Sequence, residues 1–423
     1  MKDDIKNKIY SLVKEYFSDE TLFQTDRVSV GFPCFDHNEI ISAMDSLLDL
    51  RLSQGPKVQK FEDDFSAYLG MNYGVAVNSG SSANLLAIQA LIRTGRVKPG
   101  SEVILPAATF ATVASPILQC GLIPVFVDID DKTYNIQPSS IESAINENTG
   151  LIMVVHSLGC AAQMDEIELI SNKYNIPIME DCCEAHGSEI FSKKIGSFGI
   201  VSTWSFFVAH NMTSGEGGMI NTDDDEINEC LISIREFGRL KEQPNSLPRF
   251  HYSDEFMKDY DERYVFTQLG YNLRMSDIHA SLGIEQLKKL DLINKKRNKI
   301  VDFYNENLIK HSNYLQLPTV PKDSFHSFYG YPLLVKKNKL FKRVDIVRYI
   351  EDNNIETRGF MGGDLSQQPA FRNEKNVIIK GSLKNTINIF ENSFFIGCHP
   401  NITEVQQQKV VDVINRFMSS FDI

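Results

Sequence analysis

Apolar and polar positions run along this chain in two rhythms. Near the N-terminus Ile5, Ile9, Leu12, Val13 and Phe17 recur at helical spacing, which predicts an amphipathic helix added in front of the main body of the chain. From Val75 onward, short apolar runs at 74–77, 102–105, 123–127, 151–155, 176–180 and 200–205 are separated by segments of helical period. Short runs divided by helices predict an α/β domain built on a mostly parallel sheet covered on both faces. Such a sheet carries its ligand site at the strand ends. Residues 287–305 read as one long charged helix, where we place the junction to a second domain. Beyond it, runs at 329–335, 344–350, 394–396 and 403–417 predict a small α+β lobe that closes on a helix. The expected division is a helical segment over 1–60, a large α/β domain over 61–295 and a small α+β domain over 296–423.

Composition narrows the function classes. Of 423 residues, 42% are hydrophobic and 23% charged, as in an ordinary globule, and the net charge is -12. That balance argues against a protein that grips nucleic acid or an anionic membrane, yet it leaves room for a small basic pocket that binds phosphate. Residues 1–20 are charged throughout, and no stretch approaches a membrane span of about 18 apolar residues, so a cytoplasmic location is expected. Seven scattered cysteines without a CxxC pair predict free thiols and no metal site.

Three stretches carry chemistry. Asn78-Ser79-Gly80-Ser81-Ser82-Ala83-Asn84 follows a predicted strand and precedes a predicted helix. Small residues there let N–H groups approach a phosphate at the helix's positive end, although from these residues alone a plain turn and N-cap is the favoured reading. Glu180-Asp181-Cys182-Cys183-Glu184 closes the run 176–180. A buried Asp at such a strand end can keep a pyridine nitrogen protonated, and a helix cap or a magnesium ligand is the alternative. The third stretch is Ser205-Phe206-Phe207-Val208-Ala209-His210, continued by Asn211-Met212-Thr213-Ser214-Gly215-Glu216-Gly217-Gly218.

Together with Gly270-Tyr271-Asn272-Leu273-Arg274-Met275 and Gln368-Pro369-Ala370-Phe371, these stretches resemble the vitamin B6-dependent sugar aminotransferases over nearly the whole chain. That family shows Ser-Phe, a lysine, then Thr-x-Gly-Glu-Gly-Gly at this spacing. The resemblance implies the aspartate aminotransferase fold (fold type I), with a mostly parallel seven-stranded sheet and a smaller C-terminal α+β domain. It implies pyridoxal 5'-phosphate (PLP) as cofactor, its phosphate held by Gly80, Ser81 and Ser205 and its ring stacked on Phe110. Asp181 would meet the ring nitrogen and Glu184 would lie near the ring hydroxyl. Asn272 would reach the phosphate of a neighbouring subunit, which implies a homodimer with shared active sites. Arg239, Arg358 and Asp364 are candidates for the sugar nucleotide, since a guanidinium contacts two diphosphate oxygens at once; a surface salt bridge is the alternative for each arginine.

The departure is His210, which stands where the family keeps its lysine. In this the chain resembles the sugar 3-dehydratase branch. Imidazole has no primary amine and cannot tether PLP, but it takes and gives protons near neutral pH. The resemblance then implies an untethered cofactor working as pyridoxamine phosphate, with His210 as catalytic base. The expected reaction removes the 3-hydroxyl of a nucleotide-linked 4-keto-6-deoxy sugar, GDP-linked by analogy, with L-glutamate recharging the cofactor and ammonia released. The branch's iron-sulfur route needs a cysteine group after Gly-Glu-Gly-Gly, but only Cys230 and Cys398 follow, so no cluster is expected. Three alternatives stay open: a CDP-linked substrate, a 4-aminotransferase using Lys193 or Lys194, and a PLP-binding regulator without turnover.

Overall fold

The computed structural model describes residues 2–19, 25–240 and 264–421; the remainder of the expected N-terminal segment, Met1 and residues 20–24, lies outside the described residues. The N-terminal periodicity forms the helix Lys2–Tyr16, fastened to the helix His37–Leu48 by Lys6 Nζ, which reaches Asp45 at 2.8 Å and Asp49 at 2.9 Å. His37–Leu48 packs in turn on the helix Asp277–Leu287. Among the described residues no helix is long and apolar enough to cross a membrane.

Six apolar runs become strands: Tyr73–Val77, Glu102–Pro106, Ile123–Val127, Thr149–Val155, Ile178–Asp181 and Val201–Ser205. The sheet they build is mostly parallel, as expected, but it has eight strands rather than seven. The eighth is Ile378–Ile379, from the C-terminal part of the chain, laid parallel to Ile123–Val127 at the sheet edge. One inner strand, Gly218–Thr222, runs against its two neighbours, Tyr73–Val77 and Val201–Ser205. Its reversal comes from the connection before it. Residues 206–217 make no crossover helix but fold back on Phe206, whose carbonyl accepts from Ser214 N at 3.0 Å and Thr213 Oγ1 at 2.9 Å. A parallel return needs a longer crossover, so the chain comes back antiparallel and leaves His210 at the bend.

Apolar clusters fill both faces of the sheet, one around Phe61, Phe65, Trp204 and Phe206, the other around Leu86, Leu105, Phe126 and Leu231. The charged helix expected at 287–305 is Leu290–Leu308, separate from Asp277–Leu287. It leads into a four-stranded antiparallel sheet in the order Leu315–Gln316, Tyr331–Val335, Ser393–Ile396, Thr357–Gly359. The helices Arg343–Asp352 and Glu404–Ser419 join it around a core of its own. Two segments cross between the lobes: Val28 pairs with Ile355 in the small one, and Ile378–Ile379 joins the large sheet.

Candidate active site

Three strands of common direction end along one edge of the sheet, at Val77, Asp181 and Ser205, with the reversed Gly218–Thr222 between the first and the last. After Val77 the chain turns into the helix Gly80–Arg93, with Ser79 as N-cap accepting from Ser82 N at 3.1 Å. The plain capping role is therefore present, and it leaves the first-turn N–H groups facing out at the helix's positive end. Ser81 lies exposed in that turn. Gly80 is pressed against Ser205: a Cβ built on it would lie 2.5 Å from Ser205 Cβ and 3.1 Å from Cys183 Sγ. Only glycine lets this loop and the end of Val201–Ser205 close into one cradle, which joins three residues expected at the phosphate.

Asp181 is 5% exposed. Its Oδ2 accepts from Asn84 Nδ2 at 2.8 Å and its Oδ1 from Cys183 N at 3.1 Å. Asn84, on the helix behind the cradle, is itself fixed by Thr203 Oγ1 at 2.7 Å and donates to the Thr112 carbonyl at 3.1 Å. Thr112 needs that donor because its i+4 residue is Pro116, which has no N–H. Asn84 was not singled out from sequence as the orienter of Asp181; the signal that could have found it was its helical register behind the small-residue loop.

Glu184 accepts from Leu158 N at 2.7 Å. Burial pushes its carboxyl up to about 8, helped by Asp181 and opposed by the Leu158 N–H. Leu158 holds a left-handed backbone, φ 52, and its carbonyl accepts from Tyr329 N at 2.9 Å. Tyr329 faces His210, ring centroids 5.3 Å apart. The Tyr329 carbonyl accepts from Arg297 Nη1 at 3.1 Å, and Phe328, also left-handed at φ 50, precedes it. Non-glycine residues in this region carry strain, and their pairing here ties the junction of the two lobes to the site. Sequence spacing gave no sign of Tyr329 or Arg297.

His210 sits in the bend after Val201–Ser205, its N–H bonded to the Phe207 carbonyl at 3.0 Å. Its Nδ1 is buried without a partner. Burial, then the Arg297 charge, pushes the ring down to about 3, so it stands as a neutral base at neutral pH. Ring geometry thus brings together His210, Tyr329 and Phe207, and the charges of Glu184, Arg297 and Arg358 all act on the Tyr329 hydroxyl.

The other expected residues divide. Phe110 is 57% exposed at the start of the helix Ala111–Gln119. Arg358 lies on the strand Thr357–Gly359 and bonds to Glu356 and the Thr357 carbonyl. Asp364 comes next to Ala108 by a backbone bridge, but its carboxylate caps a short 3-10 turn through Ser366 N at 2.9 Å and Ser366 Oγ at 2.6 Å, and it is 1% exposed. Arg239 lies over the Phe237 ring, 4.9 Å from its centroid, with Arg274 at 5.2 Å. Asn272 is exposed, its side chain held by Arg274 Nε at 3.1 Å. Leu273, next to it, takes Asn78 N at 2.9 Å, so the 272–274 segment runs along the cradle of its own protomer.

A further acidic group, Glu180 with His156 and Cys182, is structural. His156 Nδ1 accepts from Ala162 N at 3.1 Å and Nε2 contacts Glu180 Oε2 at 3.1 Å. Burial would raise the Glu180 carboxyl, but His156 and the N–H groups of Gly199 and Gly196 outweigh it and hold it low. All seven cysteines are unpaired, as expected.

The residues present fit PLP: a helix-end cradle for its phosphate, an oriented buried carboxylate for its ring nitrogen, and no amine in the position of a tether. The sequence profile of the DegT/DnrJ/EryC1/StrS aminotransferase family matches residues 34–415. The lipopolysaccharide biosynthesis protein RfbH of Salmonella typhimurium is 35% identical, covering 90% of this chain and 89% of its own. A GDP-4-keto-6-deoxy-D-mannose 3-dehydratase of Yersinia pseudotuberculosis is 31% identical over 92% and 100%, and a GDP-perosamine synthase of Caulobacter vibrioides 32% over 78% and 84%. A solved GDP-4-keto-6-deoxymannose-3-dehydratase with a trapped PLP-glutamate geminal diamine superposes with a TM-score of 0.85 at 29% identity, covering 92% of this chain and 100% of that one. The chain belongs to the DegT/DnrJ/EryC1/StrS aminotransferase family and has its PLP-dependent fold.

Proposed function

We propose that this enzyme removes the 3-hydroxyl from a nucleotide-linked 4-keto-6-deoxy sugar, GDP-linked in the first instance, and is recharged by L-glutamate with release of ammonia. The observation that carries the reading is His210: the site has an imidazole where an aminotransferase needs an amine. Pyridoxamine phosphate, when bound, supplies a primary amine for the C4 ketone and a ring that accepts electron density. Asp181, oriented by Asn84, keeps a proton on the ring nitrogen. His210 would take the proton released at the carbon bearing the cofactor's amine and return it to the hydroxyl leaving C3 as water, a double duty open to a neutral imidazole. Glu184, its carboxyl raised to about 8 chiefly by burial, is proposed to offer a hydrogen-bond donor rather than a second negative charge near Asp181. Arg239 and Arg358 are proposed for the diphosphate, and Asn272 for a partner's phosphate. Phe110, Phe207 and Val208, respectively 57%, 44% and 39% exposed, support a homodimer as apolar surface beside the site that a second copy would cover.

A 4-aminotransferase is the second reading, favoured by the perosamine synthase relative. It needs another lysine. Lys193 and Lys194 form a short hairpin strand, where Lys193 faces Glu168 at 3.8 Å and Lys194 binds Glu189 at 2.8 Å. Incubation with glutamate and a panel of GDP-, CDP- and dTDP-linked 4-keto-6-deoxy sugars, read by mass spectrometry and an ammonia assay, separates the two. A 3-deoxy product with ammonia in step supports dehydration; a 4-amino sugar without ammonia ends it. His210→Asn is expected to abolish turnover while cofactor absorbance persists.

A further inference from the structure

Two imidazoles meet in the site. The rings of His186 and His210 have centroids 5.8 Å apart at 47°. His186 is fully buried, flanked by Trp204 at 5.3 Å and Phe206 at 5.6 Å. Neither of its ring nitrogens has a hydrogen-bond partner of good geometry, and the same holds for His210 Nδ1 and for Asn211 Oδ1. Asn294 accepts from Asn211 Nδ2 at 2.9 Å and donates to the His186 carbonyl at 2.8 Å, which ties the two segments together. A buried polar atom left alone is costly, so His210 Nδ1, Asn211 Oδ1 and one nitrogen of His186 call for a partner.

We propose that His186 is a positioning residue for His210, linked to it through one internal water that fixes the proton of His210 on Nδ1 and leaves Nε2 as the base. Two hydrogen bonds of about 2.8–3.0 Å meeting at one water join nitrogens about 4.5–5 Å apart, a separation open to rings whose centroids are 5.8 Å apart. The directions of donation agree. Burial keeps both rings neutral, and a neutral imidazole has one donor and one acceptor. The main chain of Ser205 favours a proton on one His186 nitrogen, which makes the other an acceptor facing the water. That water takes the His210 Nδ1–H and gives its two hydrogens to His186 and to Asn211 Oδ1. Three of the four atoms are then satisfied by bonds to the water, the usual number for a buried one, and the fourth, the other His186 nitrogen, turns to the Ser205 main chain. The tautomer of a histidine is set by the bond its far nitrogen makes, so the proton-accepting lone pair is presented by Nε2.

The inference rests on His210 as the base, and its test reads the tautomer apart from turnover. Nitrogen-15 histidine spectra of the cofactor-loaded protein, with the His210 signals identified by their loss in His210→Asn, are expected to show His210 as a single Nδ1–H tautomer. His186→Phe keeps an aromatic ring between Trp204 and Phe206 and removes both nitrogens. It should give mixed His210 tautomers and lower kcat roughly 10- to 100-fold, with KM for the sugar and cofactor absorbance unchanged. His186→Gln, which can still accept a hydrogen bond, should recover part of the loss. A wild-type His210 carrying its proton on Nε2, or a His186→Phe protein with unaltered tautomer and kcat, overturns the proposal. If His186→Phe does not fold, the wild-type spectrum decides alone. A wild-type enzyme that shows the Nδ1–H signature but forms no 3-deoxy sugar refutes the dehydratase reading and leaves the His186 linkage standing.

Discussion

Asn84 joins two requirements that lie far apart in the chain, and removing it tests how the site is held. Asn84→Leu keeps the side chain's approximate size but strips the donor from Asp181 Oδ2, 97 positions away, and from the Thr112 carbonyl. A hydrogen bond to a charged group contributes about 1.5–3 kcal/mol, and a buried carbonyl left without a donor costs about 1–3 kcal/mol. After the gain from burying an apolar side chain, the expected net loss is about 2–5 kcal/mol. That is large beside a typical stability of about 5–15 kcal/mol, yet compatible with a folded protein. The carbonyl's share can be isolated, because Thr112 is orphaned only by the proline one helical turn on. Pro116→Ala restores an N–H at that place and should return about 1 kcal/mol specifically in the Asn84→Leu background. Urea unfolding of the wild type, both single variants and the double variant gives the coupling directly, and the change in unfolded-chain entropy at position 116 cancels in the cycle. Coupling indistinguishable from zero, or an Asn84→Leu protein as stable as wild type, would refute the assignment of Asn84 as the shared donor.

Gly80→Ala should weaken cofactor binding at least tenfold by absorbance titration and cost about 1–3 kcal/mol in stability, since its methyl would lie 2.5 Å from Ser205 Cβ. Unchanged PLP affinity would remove this contact from the phosphate cradle. Arg235→Met should destabilise by about 3–5 kcal/mol, because Glu62, bonded to Arg235 Nη1 and to Ala76 N at 2.8 Å and 7% exposed, is left as an uncompensated buried acid. Adding Glu62→Met should recover most of that loss in the same denaturation assay. Acid should destabilise the fold below about pH 6.5. Burial holds His326 and His399 neutral down to about 3, whereas the unfolded chain protonates them near 6.5, so unfolding takes up protons and stability falls with pH by about 1.4 kcal/mol per unit for each ring. Glu184, raised to about 8, acts in the opposite sense between pH 8 and its ordinary 4.5. His326→Gln should therefore flatten the acid limb of the unfolding free energy by one proton's slope, and an unaltered slope would contradict the burial argument.

Local rhythm was enough for the strands, because the covered parallel strands of this sheet are continuous apolar runs. Ile123–Val127 lies where the run placed it, and Tyr73–Val77 and Val201–Ser205 differ from theirs by one residue at an end. The cradle loop, Asp181 and His210 lie at or just beyond these runs, so their places in the fold, though not their roles, were legible from the rhythm. The division into helices at 277–308 was less so, since an apolar period does not mark a break between Leu287 and Leu290 when both flanks continue it.

What the amino-acid sequence determined by itself was therefore the mostly parallel α/β architecture, the small-residue cradle before a helix, and an imidazole in a frame built for an amine. Tertiary structure alone decided the rest. The reversal of Gly218–Thr222 and the eighth strand at Ile378–Ile379 depend on which edge is free to pair, which no local period encodes. The approach of Gly80 to Ser205, of Tyr329 and His186 to His210, and of Asn84 to Asp181 are contacts between distant segments. Periodicity reports which face of an element is buried; it does not report against what, and the protonation of His210 and Glu184 is set by that second fact.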